Sequence, residues 1–299
     1  MARPKTITDQ QRAQVLELKR RHSYSEVAAI TGLPLGTVRT IVRRSGALSD
    51  NPKHRLMFTL PAIKHSASTQ LAAFVMPPQR EVTGDKEVDA VLWLREVIAT
   101  GDPLAIDKAL TAVANIKTPL AEIETRYANH LRKNGGGNMF AAFKAIGFAD
   151  IEDHVKKSKT TALLRHEAAA RFGNDPDLMT EAERWAIRVL DGVDVELLDS
   201  DRSGIADRFK QHPELMPHTL ADCLHELNFW NDLYWLKQAA DAGEPAQECY
   251  EREHFVFELM AEIRPRSRDE ATAVLQYIID DERKDDEHAD AILFNLVSR

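Results

Sequence analysis

Cysteine is nearly missing from this chain: two residues in 299, Cys223 and Cys249, stand far apart with no CxxC pair and no histidine at zinc spacing. That excludes a disulfide framework and a zinc finger, and reduced thiols are expected. Glycine and proline, 13 of each, follow no period, so collagen-like and low-complexity classes fall away. No apolar run approaches the ~18 residues that a membrane-spanning helix needs. The polar start Met1-Ala2-Arg3-Pro4-Lys5 lacks the apolar stretch of a signal peptide. A cytoplasmic protein with no membrane partner is expected. Aromatics are scarce at 7 %, and ample Ala and Leu favour helices. No dinucleotide fingerprint, Ser-His-Asp order or paired-carboxylate spacing can be singled out. The run Asn134-Gly135-Gly136-Gly137-Asn138 lacks the Lys-Ser/Thr that closes a phosphate loop and reads as a corner. No catalytic residue, metal or cofactor is assigned, and an enzyme is not expected.

What the chain does have is charge separated by position. The formal net charge is −8, yet residues 1–64 hold twelve Lys or Arg against four Asp or Glu, a balance of +8. Beyond position 64, 27 basic residues face 43 acidic ones, a balance of −16. A basic head attracts phosphate and releases counterions on binding it, whereas an acidic body repels nucleic acid.

Within that head the apolar spacing predicts three helices. The first runs over 8–21, with Ala13, Val15, Leu16 and Leu18 among polar residues and Thr8 or Asp9 as its cap. Ser23 or Ser25 caps a second over 25–31, and Gly32 supplies the left-handed turn. Pro34 opens a third over 35–44, with Val38 and Ile41 inward and Thr37, Arg39, Thr40, Arg43 and Arg44 outward. Ala28 lies four residues before the turn glycine, where two helices cross closely, and Val38 and Ile41 follow it by six and nine. This spacing is that of a helix-turn-helix.

The run ARPKTITDQQRAQVLELKRRHSYSEVAAITGLPLGTVRTIVRR, residues 2–44, resembles the DNA-binding domain of the Hin and γδ-type serine recombinases. In that family a Gly-Arg-Pro-Arg arm precedes the three helices; Arg3 and Pro4 match it, Lys5 keeps the charge and Ala2 stands in the glycine position. The resemblance implies that Arg3 enters a minor groove while the third helix lies in the adjoining major groove. It leaves recombination itself unexpected, because the family's nucleophile lies in a domain before this module. The DNA-facing set is Arg3, Lys5, Ser25, Leu35, Thr37, Arg39, Thr40, Arg43 and Arg44. Arg39 is the expected base reader, and Thr37, Arg43 and Arg44 are the expected phosphate contacts.

Residues 47–85 carry Pro52, Pro61, Pro77 and Pro78 and read as a linker that lets the head search DNA semi-independently. Two stretches within it, 55–60 and 71–76, could extend as strands. From 86 to 299 the pattern is helical throughout, with predicted helices over 86–100, 103–116, 119–133, 139–146, 151–172, 180–190, 219–242, 244–263, 268–282 and 285–297. The break Gly173-Asn174-Asp175-Pro176 offers a division near 173. The fold expected is therefore all-α: a helix-turn-helix domain over 1–46, a linker, and an acidic multi-helical domain over 86–299.

Three constellations stand out in that body. Glu251-x-x-His254 and Asp285-x-x-His288 resemble the Glu-x-x-His pair of di-iron bundles, with Glu226 and Glu258 as conceivable partners. The charged stretch around the second pair reads instead as a solvated face, so a helical-bundle metalloenzyme is the weakest alternative. Aromatics lie on nearly every side of the segment 224–236, and Phe229, Trp230, Tyr234 and Trp235 are assigned to an oligomer or partner surface. The acidic tail suits a basic patch on RNA polymerase or another DNA-bound protein. The function expected is a sequence-specific transcription regulator of phage or other mobile-element type, binding double-stranded DNA as a homo-oligomer, in the simplest case a dimer. The alternative is a DNA-handling adaptor, such as a small terminase-like, partition or replication component.

Overall fold

The computed structural model describes residues 7–19, 22–46, 48–64, 76–134, 147–195 and 202–297. Among them it is all-helical, without a strand. The chain forms two compact units, one of residues 1–61, 178–234 and 244–299, the other of 62–177 and 235–243.

The first unit opens with α1 (Asp9–Lys19), α2 (Tyr24–Thr31) and α3 (Leu35–Ser45). Val15, Val27, Val38, Ile41 and Val42, one or more from each helix, close a small core, with Leu16 and Ala28 packed at its margin. Two glycines set the path. Gly32 ends α2 at φ +66°, and Gly46 ends α3 at φ +70°, where a Cβ would stand 2.4 Å from the His218 ring. Only glycine meets both demands at position 46.

Residues 48–61, expected as tether, are instead part of this unit. They hold α4 (Pro52–Met57), whose cap is Asn51, accepting from the Lys53 and His54 amides. Pro52 sits at the first helical position, where its missing N–H leaves no bond unmade. The stretch 55–60, read as extended, is thus the second half of this helix and the turn after it. Of the stretch 71–76, all but Met76 lies outside the described residues.

The rest of the unit is α9 (Glu181–Val189), α10 (Arg202–Lys210), α11 (Leu220–Ala239), α12 (Gln247–Leu259), α13 (Arg268–Asp280) and α14 (Ala289–Val297), numbered with the four helices of the second unit counted in chain order. Helix α11 belongs to it through Tyr234. Its centre is a buried cation. Arg252, fully buried on α12, donates from Nε and Nη2 to the two oxygens of Glu226 at 2.7 and 2.9 Å, and again from Nη2 to Leu215 O. The rings of Phe58, Trp185, Phe209 and Phe255 surround its guanidinium at 5.1 to 5.3 Å. His54 of α4 completes the cluster, its Nε2 donating to Glu226 Oε2 at 2.6 Å. Burial pushes the Glu226 carboxyl up, but the charge of Arg252 and the bonds from His54 and Arg252 outweigh it and hold it below its ordinary value.

Asp222 fastens the other end of α4. It accepts from Asn51 N at 2.8 Å and Arg55 Nε at 2.7 Å, and these bonds overcome its burial so that its carboxyl also stays low. Phe229 and Trp230, assigned to a partner surface, are buried here: both pack on Phe58, and Trp230 Nε1 donates to Glu226 Oε1. The aromatic excess of the segment is therefore core filling around a charged centre. Tyr234 is half-buried and Trp235 is 54 % exposed.

The second unit contains α5 (Lys86–Ala99), α6 (Pro103–Val113), α7 (Leu120–Asn134) and α8 (Ile151–Phe172). Its core is built on Val88, Val91, Leu94, Val97 and Ile98 of α5, with Ile106 and Ile123 from the next two helices. Asp85 caps α5 and, with Glu87, pairs with Arg126 of α7. The boundary falls after Asp177, close to the expected break at 173. Helix α10, which buries Ile205 and Phe209, has no counterpart among the predicted helices, and the predicted helix over 139–146 lies outside the described residues.

Candidate nucleic-acid interface

The surface of α3 follows from its spacing. Successive residues turn by about 100°, so side chains four apart share a ridge. Val38, Ile41 and Val42 are buried, which turns Leu35, Arg39 and Arg43 outward on one ridge and Gly36, Thr40 and Arg44 on the next. Arg39, Arg43 and Arg44 are exposed, Leu35 is 39 % exposed, and Thr37 and Thr40 are half-buried. Among the described residues no carboxylate forms an ion pair with these three arginines. Thr40 donates its hydroxyl hydrogen to Gly36 O at 2.8 Å, which leaves the oxygen as an acceptor toward the outside.

Helix α2 is set by a reciprocal cap. Glu26 N donates to Ser23 Oγ, and Ser23 N donates to Glu26 Oε2 at 2.7 Å; this pair holds the Glu26 carboxyl below its ordinary value. Ser23 is therefore the cap, and Ser25, expected to face DNA, lies inside the helix and is exposed. Arg3 and Lys5 lie outside the described residues.

Two features escape the sequence reading. Tyr24, the first residue of α2, has Lys19 Nζ at 4.7 Å and the Arg39 guanidinium at 5.9 Å from its ring centre. One ring thus steadies a cation from α1 and the expected base reader of α3, a contact worth about 0.5–1 kcal/mol at an exposed site. Beside α3 runs a hollow of ≈ 670 Å³ lined by Arg12, Leu16, Thr37, Thr40, Ile41 and Arg44 among others. Arg12, at its edge, pairs with Asp9 at 2.7 Å. An aromatic at a helix start and an arginine on the first helix carry no signal of their own in sequence; both were placed by the way three short helices pack.

The head is fixed at its trailing side. Besides Gly46 against His218, Glu17 of α1 pairs with Arg264 at 2.8 Å, and Asp50 receives Arg55 at 3.0 Å and Arg266 at 2.9 Å. In comparisons with known protein families, with characterised proteins and with solved structures, nothing matches this chain.

Proposed function

We propose that the protein is a sequence-specific DNA-binding transcription regulator of mobile-element type, whose first three helices act as a helix-turn-helix with α3 in the major groove. One observation carries this reading: Arg39, Arg43 and Arg44 stand exposed, without a carboxylate partner among the described residues, on the side of α3 away from its buried Val38, Ile41 and Val42. A row of cations unanswered from within suits a polyanion from without. Arg39, at the middle of the helix and held by Tyr24, reads a base edge, while Arg43, Arg44 and Thr37 take phosphates. The resemblance adds Arg3 and Lys5 in the neighbouring minor groove.

The anchoring of α4 by Asp222 and Glu226 supports a head that does not swing on its own unit. In a dimer, two such heads read half-sites at one spacing, about 10 base pairs or a multiple of it. The test is genome-wide footprinting of the wild type beside Arg39→Ala. Discrete sites are expected, with the variant relaxed at one position and weaker by about 1–3 kcal/mol. Uniform wild-type binding, or a variant that keeps the same sites at the same strength, overturns the assignment. Log affinity should also fall linearly with log salt, and Arg43→Ala or Arg44→Ala should lower the slope by about one each.

A further inference from the structure

The pairs Glu251-x-x-His254 and Asp285-x-x-His288 of the sequence do not form one ligand set among the described residues. Glu226 is spent on Arg252 and His54, Glu251 receives a bond from Gln247, and Asp285 is exposed. The structure brings together a different set. His254 and Glu258 lie one turn apart on α12, and His288, in the turn before α14, meets them. One ligand atom from each lies within 4.8 Å of the other two. His254 Nε2 is 3.3 Å and His288 Nε2 is 3.0 Å from the same oxygen, Glu258 Oε1.

We propose that His254, Glu258 and His288 form a site for a divalent transition-metal ion, zinc by the chemistry of its donors.

Three observations carry this. First, both Nε2 atoms are buried and neither makes a hydrogen bond, although each is within ion-pair distance of the carboxylate. Two buried ring nitrogens that no hydrogen bond uses and one carboxylate oxygen thus share a small volume, with the ring centres 5.5 Å apart, and a cation between them would satisfy all three. Second, the spacing fits. Tetrahedral ligands roughly 2.0–2.1 Å from zinc stand about 3.3 Å from one another, close to the two separations found here. Third, two imidazoles and one carboxylate form a donor set that zinc accepts while keeping a fourth position open. Glu287 is the nearest further carboxylate, its Oε1 3.4 Å from His288 Nε2. Bound metal would clip the end of α12 to the start of α14, two elements far apart in sequence.

The experiment uses the full chain, stripped with chelator and desalted, titrated with Co(II) by visible absorption and with Zn(II) by calorimetry. One equivalent with the intense bands of low-coordinate cobalt is expected, displaced by zinc. His254→Ala and His288→Ala should each weaken binding by more than ~100-fold, beyond what loss of a supporting partner typically costs. Glu258→Gln, which keeps the side-chain volume, should weaken it while circular dichroism shows an unchanged helix content. His166→Ala, an exposed histidine of α8, should bind as the wild type does. The proposal is overturned if no stoichiometric ion binds at millimolar metal, or if binding survives all three site variants. It is equally overturned if the cobalt bands are those of a hexa-aqua-like ion. None of these readouts involves DNA, so they stand apart from the regulator reading.

Discussion

Arg252 and the arginines of α3 carry the same side chain in opposite surroundings. Arg252 is fully buried, its charge met by both oxygens of Glu226, two further hydrogens directed at Leu215 O and the Met216 sulfur, and its faces covered by four rings. Arg39, Arg43 and Arg44 lie in solvent with no ion-pair partner among the described residues. A cation satisfied within the protein holds the protein together, and one left unsatisfied at the surface is available to a ligand. The structural charge also uses His54, so the same cluster that fills the core seats α4 and, through it, the head.

The comparison breaks first at the buried end. Replacing Arg252 by Met leaves the Glu226 carboxylate buried without its main partner and should cost about 3–5 kcal/mol in urea unfolding. The double variant Arg252→Met, Glu226→Leu should recover most of that loss, since an apolar pair can replace a buried ion pair. A single variant as stable as the wild type would show that the cluster holds nothing. Neither change should alter the salt slope of DNA binding by whatever folded protein remains.

A smaller effect is expected where the head leaves α3. Gly46→Ala places a Cβ against His218 at positive φ and should cost about 2 kcal/mol, whereas Gly32→Ala, at a similar φ but in open space, should cost only about 1 kcal/mol. Equal losses for the two, by thermal or urea melts, would mean that His218 yields freely and the seat at position 46 is loose.

The mildest perturbation is acid. Glu226 and Asp222 both have carboxyls held below their ordinary values of 4.5 and 3.8. Groups depressed in this way contribute stability fully above those values, and it is lost as pH falls through the lower, folded ones. The fluorescence of Trp185 and Trp230, both buried beside Phe58, should therefore report a melting temperature that declines progressively below about pH 4.5. The Arg252→Met, Glu226→Leu protein should show a shallower decline. A midpoint flat from pH 6 to pH 3 contradicts the depressed carboxyls.

Local rules read well where a helix makes its own case. The limits of α8 and the caps and turn glycine of α2 were legible because periodicity, a serine and a glycine act within one or two turns. Helix α4 was misread for the opposite reason. Pro52 after Asn51 is a start signal as much as a breaker, and the choice depends on whether six residues find something to bury. His54 and the capping Phe58 find their places only against α11 and α12, across more than 160 residues of chain. The aromatics of 224–236 exceed what one buried face needs, and no sequence window reveals that a buried arginine needs rings around it. The metal-type cluster shows the same limit: the sequence offers His254 and His288 with Glu226 and Glu258 as conceivable partners, but only the packing decides that Glu258 joins the two histidines while Glu226 serves Arg252 and His54.

What the amino-acid sequence determined by itself is the all-α class, most helix limits, the +8 head on an acidic body, and which side of α3 faces outward. These depend on residues three or four apart and on simple charge, which need no distant partner. Only the tertiary structure decided that residues 48–61 are anchor and not tether, that Arg252, Glu226 and His54 form one buried charge cluster, and that His254 and Glu258 meet His288. Those outcomes depend on the cost of burying a charge without its complement, and the complement in each case lies on a helix or turn remote in the chain.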